Sequence, residues 1–242
     1  MFSNLKTKKR LTQLLIAVVA VALTVTGSAF LLGDFVQDAK AYETTVNSAA
    51  EWTTAVSHSD SNIIITLGQD LKITSKLTAI PSGKNVTLNM NGKTIQWYDV
   101  GSGNDDIITK GYKFGDTYWG LITNNGTLDI QGSGTISQYH VRNSKAIDDD
   151  YDNYGHKSAA IVNNGNLTIG SGITVENFAA QENYAKGGGT NDRYQDMFIY
   201  SHAVYNTGTV TSSGTIQSGA FAQGAAGRGA NAFAHAFSYG IF

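Results

Sequence analysis

Leu121-Ile122-Thr123-Asn124-Asn125-Gly126-Thr127-Leu128-Asp129-Ile130, followed by Gly132-Ser133-Gly134-Thr135-Ile136, returns twice along this chain of 242 residues. The second copy is Ala160-Ile161-Val162-Asn163-Asn164-Gly165-Asn166-Leu167-Thr168-Ile169 with Gly170-Ser171-Gly172-Ile173. The third is Ala203-Val204-Tyr205-Asn206-Thr207-Gly208-Thr209-Val210 with Ser213-Gly214-Thr215-Ile216. Asn124 and Asn163 are 39 positions apart, Asn163 and Asn206 43. Each unit reads as very short strands with period-2 alternation, punctuated by Asn-Gly or Ser-Gly. A meander of hairpins is one use of such turns. Strands of about three to five residues, with one turn repeated per unit, suit an all-β solenoid in which each strand pairs with its copy about 4.8 Å along the axis. Ile122, Leu128, Ile130 and Ile136 are then expected to stack on Ile161, Leu167, Ile169 and Ile173. Asn124, Asn163 and Asn206 are expected to form a ladder at one corner, using the tolerance of Asn for left-handed backbone and amide bonds along the stack.

Residues 42–60 read as an N-terminal cap and 61–242 as the repeats. Ser48-Ala49-Ala50-Glu51 has capping-box spacing, and Trp52, Ala55 and Val56 give the helix an apolar face. A solenoid needs such a cover, because an open strand edge recruits other chains. At the far end Gly240, Ile241 and Phe242 align with Ala203, Val204 and Tyr205, which leads us to expect a fourth repeat cut short before its ladder Asn.

Lys6, Lys8, Lys9 and Arg10 precede an apolar run over 11–33, with the small-residue site Ala39-Lys40-Ala41 beyond it. This is the pattern of a cleaved secretory signal peptide spanning 1–41. A retained N-terminal anchor is the rival, and membrane contact is expected only through that segment if it stays uncleaved. The protein is therefore expected to be secreted or on the cell surface. Without residues 1–41 the chain keeps 12 basic and 17 acidic side chains, a net charge of −5. That balance excludes a nucleic-acid partner, which needs a basic surface. With no Cys, there is no disulfide framework, thiolate metal site or thiol nucleophile. Charged residues make up only 15% of the chain, against about a quarter in an average domain, so its surface is polar mostly without charge.

The helix, the runs IIITLGQDLKI (63–73) and IPSGKNVTLNMNGKTI (80–95) and the repeated NNGxLxI with GSGxI resemble secreted parallel β-helix surface proteins of Gram-positive bacteria, in the broad pectate-lyase-like class. The resemblance implies a right-handed parallel β-helix over nearly all of 43–242. It implies no activity, because that architecture carries lyases, hydrolases, adhesins and inert stalks.

Four polar excursions, 97–118, 138–157, 178–201 and 219–235, separate the repeats and are expected to leave as loops from one corner. Insertions that share a face often mark the binding face of a repeat protein. Their aromatic residues Trp97, Tyr98, Tyr112, Tyr151, Tyr154 and Tyr194 are the candidate binding residues, suited to stacking on a glycan or packing against a surface protein. Their plainer role is packing against the solenoid wall. Asp148, Asp150 and Asp152 alternate as ligands in calcium loops do, making Ca2+ the one cofactor the sequence suggests. The run lacks the sixth-position glycine and the later Glu of an EF-hand, and its plainer reading is a solvated acidic loop. Asp192 and Asp196, with Glu182 near, are the pair a glycoside hydrolase would need. His58, His140, His156, His202 and His235 stand singly, and no catalytic residue is assigned. The reading is an exported non-catalytic module that binds glycan or a surface protein. The alternatives are a polysaccharide lyase or glycoside hydrolase on the same scaffold, and a passive stalk.

Overall fold

The computed structural model describes residues 41–74, 76–102, 118–143, 153–185, 193–226 and 230–242. The expected signal segment lies outside this range apart from its last residue. In chain order the elements are β1 (Tyr42–Val46), α1 (Ala49–Val56), β2 (Asn62–Leu67), β3 (Leu71–Ile73), β4 (Asn85–Asn89), β5 (Lys93–Ser102), β6 (Trp119–Asn124), β7 (Thr127–Gln131) and β8 (Ser133–Asn143). They continue with β9 (Asn153–Asn163), β10 (Asn166–Ile169), β11 (Gly172–Ala185), β12 (Arg193–Asn206), β13 (Thr209–Ser212), β14 (Thr215–Ala226) and β15 (Ala230–Ile241). The strands sort into three sheets and no closed barrel. Sheet A has the order β1-β2-β4-β7-β10-β13, sheet B β14-β11-β8-β5-β3 and sheet C β15-β12-β9-β6. All strand pairings are parallel. From β4 on the chain visits A, B and C in turn and adds one strand to each per circuit, an arrangement compatible with an all-β solenoid.

Period-2 alternation decides which side chains go inside. Ile63, Ile65 and Leu67 of β2 are buried, as are Val86 and Leu88 of β4, Leu128 and Ile130 of β7, and Leu167 and Ile169 of β10. Ile122 pairs with Ile161, Leu128 with Leu167 and Ile130 with Ile169, as expected from the repeat. Ile136 instead meets Val175, and Ile173 meets Gly134. The Gly-Ser-Gly triplet begins one residue sooner after Ile169 than after Ile130, so matching triplet to triplet misaligns the fourth pair, while the ladder keeps the 39-residue offset of the rest of the circuit. Val204 pairs with Ile241 and the Phe242 carbonyl accepts from Asn206, so the last circuit keeps the expected register.

At the other end Ser48 caps α1, its Oγ accepting from the Glu51 amide at 3.2 Å. The return bond goes one residue further than in a standard capping box, from the Asn47 amide to Glu51 Oε2 at 2.6 Å. Trp52, Ala55 and Val56 enter the core, and Trp52 Nε1 donates to the Thr78 carbonyl at 2.9 Å. The stretch read as helical cap also contains β1, the first strand of sheet A, which the sequence reading did not separate from it.

A chain of amides crosses the corner between sheets C and A. Asn124 Nδ2 donates to Asn163 Oδ1 at 2.7 Å, and Asn163 Nδ2 to Asn206 Oδ1 at 2.7 Å. The same nitrogens also bond the carbonyls of Asn166 and Thr209, each at 3.0 Å, in the strand that follows the turn. Asn124 and Asn163 are fully buried. One expectation about them is corrected: among the described residues the one non-glycine with positive φ is Asn91, so these Asn residues serve through their amides and not through left-handed backbone. The glycines two positions on have a steric cause. A Cβ at Gly165 would run into the Gly126 carbonyl oxygen, and a Cβ at Gly208 into that of Gly165.

Where they are described, the excursions expected as loops are largely strand. β5, β8, β11 and β14 run on past the corner, and β9, β12 and β15 begin well before it. β11 packs against β12 and β14 against β15. Between them the interior turns polar, with Asn177 Nδ2 donating to Ser158 Oγ at 2.8 Å and Ser201 Oγ at 2.7 Å. Further out it turns small, with Ala179 and Ile199 packed by Ala220, Ala222 and Ala234.

Replacing Asn163 by Leu leaves the Asn124 amide and the Thr209 carbonyl buried without this partner, at about 1–3 kcal/mol per lost group. We expect a loss of about 3 kcal/mol in urea unfolding; an unchanged midpoint would remove the amide chain from the list of stabilising features.

Candidate functional site

Sheet B carries its outward side chains in rows that run across the strands. Ile95, Ile136 and Val175 point into the core, so by alternation the neighbouring positions form outer rows. One is Thr94-Thr135-Thr174-Thr215, the next Gln96-Ser137-Glu176-Gln217, in which Ser137 is buried, and the third holds Tyr139, Phe178 and Gly219. The third row places an aromatic residue in two successive strands and then a glycine. A groove of about 210 Å³ opens there, lined by Tyr139, Glu176, Asn177, Phe178, Gln217, Ser218 and Gly219. The rings of Tyr139 and Phe178 are 5.7 Å apart and tilted by 38°. Phe178 leans over Gly219 so closely that a Cβ there would lie 2.8 Å from its Cδ2. Beside the rings Gln217 Nε2 donates to Glu176 Oε2 at 2.7 Å, holding a carboxylate and an amide side by side. An apolar ring face flanked by a fixed carboxylate and amide can stack on a ring with C–H faces and hydrogen-bond its hydroxyl groups.

Sheet C carries a second aromatic assembly. Phe198 stacks on His235 at 4.8 Å, Tyr200 on Phe237 at 4.7 Å and His202 on Tyr239 at 5.1 Å, three pairs along β12 and β15. His202 has no exposed surface, and neither ring nitrogen has a hydrogen-bond partner among the described residues. The edges of Tyr118 at 5.0 Å and Phe242 at 5.2 Å close over it. Tyr118 stacks on Tyr205 at 3.7 Å, with Lys157 Nζ 5.5 Å from the Tyr118 ring centre. Burial, and then the Lys157 ammonium, push the His202 imidazole down to about 4. Burial, with the phenols of Tyr205, Tyr200 and Tyr239 adding to it, pushes Tyr118 up to about 12. Stacking on Tyr239 would return about 0.5–2 kcal/mol to an imidazolium, less than the several kcal/mol of a buried charge without partners.

Of the expected binding residues, Trp97 is corrected. It is 5% exposed and belongs to the core. Its inward row is Trp97-Gln138-Asn177-Ser218, two positions from the inward Ile95, so parity alone places it inside. Tyr98, Tyr154 and Tyr194 fall in β5, β9 and β12. Tyr112 and Tyr151 lie outside the described residues, as do Asp148, Asp150 and Asp152. Among the described residues no group of three His, Asp or Glu is placed to hold a metal ion. Phe178, Glu176, Gln217 and Gly219 were missed. Aligning Gln96 to Asp99, Ser137 to His140, Glu176 to Ala179 and Gln217 to Ala220 would have brought them into one view. Comparison with known proteins adds no assignment: no family model, curated protein or solved structure matches the chain.

Because His202 is neutral in the folded chain down to about 4, the unfolded chain binds a proton below pH 6.5 that the folded chain refuses. Stability is therefore highest above pH 6.5 and falls as the pH drops towards 4, by at most about 3 kcal/mol from this group. Urea unfolding of the native chain and of His202→Phe at pH 7.5 and pH 4.5 checks this. The native chain should lose the larger amount; equal losses would contradict the shift.

Proposed function

We propose that this chain is an exported, non-catalytic, right-handed parallel β-helix that binds glycan through the outer face of sheet B, at the groove between Phe178 and Gly219. The groove carries this reading. It offers the half-buried Phe178 ring, packed over the bare backbone of Gly219, and sets the Glu176–Gln217 pair next to it. Sugars need both parts, an apolar platform for their C–H faces and a few placed polar groups for their hydroxyls. Export is supported by the basic, apolar and small-residue succession over 1–41. The right hand follows the general rule for crossovers between parallel strands of one sheet, together with the resemblance of the repeats.

Glu176 is the one carboxylate among the described residues that line the groove. Glycoside hydrolysis uses two, placed across the scissile bond, so the groove favours binding over cleavage. The binding surface also moves from where the sequence reading put it, from corner loops to a strand face. Tyr139 and Phe178 stand on strands paired on both sides, and β14 with Gly219 is paired to β11, so the platform has little to order on binding.

A panel of soluble oligosaccharides, titrated calorimetrically against the full chain with and without Ca2+ and followed for released product, tests the proposal. Binding is expected without product, weakened about tenfold in Phe178→Ala, the scale of one lost ring contact. Gly219→Ala should weaken it as well, since the new methyl group crowds Phe178, while leaving the unfolding midpoint within about 1 kcal/mol of native. A chain that binds no sugar, or binds equally well in both variants, refutes the site.

A further inference from the structure

Glu176 brings a negative charge to a part of sheet B that is otherwise uncharged. Across the strands it faces Ser137 of β8 and Gln217 of β14. The outer positions on either side, Thr135 and Tyr139 of β8, Thr174 and Phe178 of β11, and Thr215 and Gly219 of β14, carry no cation to meet it. Among the described residues its one hydrogen-bond partner is the neutral amide of Gln217.

The bond from Gln217 decides what this corner of the groove can accept. With Gln217 Nε2 donating to Glu176 Oε2 at 2.7 Å, the oxygens left to meet a ligand are Glu176 Oε1 and Gln217 Oε1, and both are acceptors. A sugar hydroxyl brings them one donor. An ammonium brings three donors and no acceptor, and its bond to a carboxylate is about twice as strong as one between neutral groups. A ligand carboxylate brings only acceptors and a second negative charge. The spacing along the strand adds a geometric match. Glu176 and Phe178 are two positions apart on β11 and point the same way, about 6.6 Å from each other along the strand. That is close to the path from the middle of a pyranose ring on Phe178, through one exocyclic nitrogen, to an oxygen hydrogen-bonded to it. The Phe178 ring also attracts a cation near its face.

We infer that the groove selects amino sugars, the Phe178 ring carrying the pyranose and the Glu176–Gln217 pair taking the ammonium of a hexosamine unit. The inference rests on the glycan reading of this groove and adds the class of sugar. Neutral sugars bind here more weakly, and Glu176 repels uronic acids.

Calorimetric titration of the full chain at pH 6 with short glucosamine oligomers, their N-acetylated counterparts and galacturonate oligomers of the same length reads the selection. The glucosamine oligomers are expected to bind about tenfold more tightly than the N-acetylated ones, the scale of one charge-assisted bond. The galacturonates should bind most weakly. Added salt should narrow the difference between amine and N-acetyl forms, because charges at a surface are screened. In Glu176→Gln the preference should vanish while the N-acetylated oligomers bind as before. In Asp129→Asn, which removes a carboxylate from the outer face of sheet A, the preference should persist. Equal affinity of the native chain for the amine and N-acetyl forms overturns the inference and leaves the glycan site standing. A preference that survives in Glu176→Gln also overturns it, since the amine is then drawn by the acidic chain as a whole. Silence with all three oligomers removes the glycan site and this inference with it.

Discussion

Everything on the surface of this protein depends on the register between successive circuits. In a parallel ladder a slip of one residue turns each side chain of a strand to the other face. The amide chain Asn124-Asn163-Asn206 opposes such a slip. The side-chain nitrogens of Asn124 and Asn163 each bond the equivalent oxygen one circuit on and also the backbone carbonyl beyond the next turn. A slipped strand would break both bonds inside a corner that excludes water, leaving polar groups buried without partners. Gly126, Gly165 and Gly208 add a steric limit, because the turns approach too closely for any other residue. With the register held, rows of like residues form across the strands, and the groove and the ring ladder are both consequences of those rows.

Much of this architecture is written in period and spacing. Repeats of 39 and 43 positions announce the circuits, and alternation within Ile63-Ile64-Ile65-Thr66-Leu67 or Val86-Thr87-Leu88 says which side chains go in. Other parts are not local. β1 and α1 are adjacent in sequence, but only pairing with β2 reveals that Tyr42–Val46 is a strand. The polar stretches after each circuit lack apolar alternation because they do not face the main core. Their strands are sustained by neighbours of the same kind above and below, and by Ala-on-Ala packing between sheets B and C. Propensity within one strand cannot show this, since it depends on the partners.

The groove was hidden for a related reason. Aromatic residues in polar segments look like exposed binders one at a time, and that is how Trp97 was misplaced. Its parity with Ile95 puts it inside. The informative sign was the glycine. Gly219 carries no chemistry by itself and gains meaning only opposite Phe178 in the register of β11 and β14.

A ring at 219 would have continued the row with one more aromatic contact, worth about 0.5–1.5 kcal/mol beyond its buried area. A glycine within a strand instead gives up packing and adds entropy to the unfolded chain, costing roughly 0.5–1 kcal/mol relative to Ala. Position 219 therefore runs against the stability of the ladder, as do the two nitrogens of His202 in a stack otherwise built mainly of Phe and Tyr. Local choices that oppose an otherwise consistent fold concentrate where a protein does something besides fold. These two departures sit on different sheets. One seats the Phe178 ring on bare backbone beside the groove and the other buries an imidazole in a stack of phenyl and phenol rings, so each can be altered without disturbing the amide chain that holds both in register.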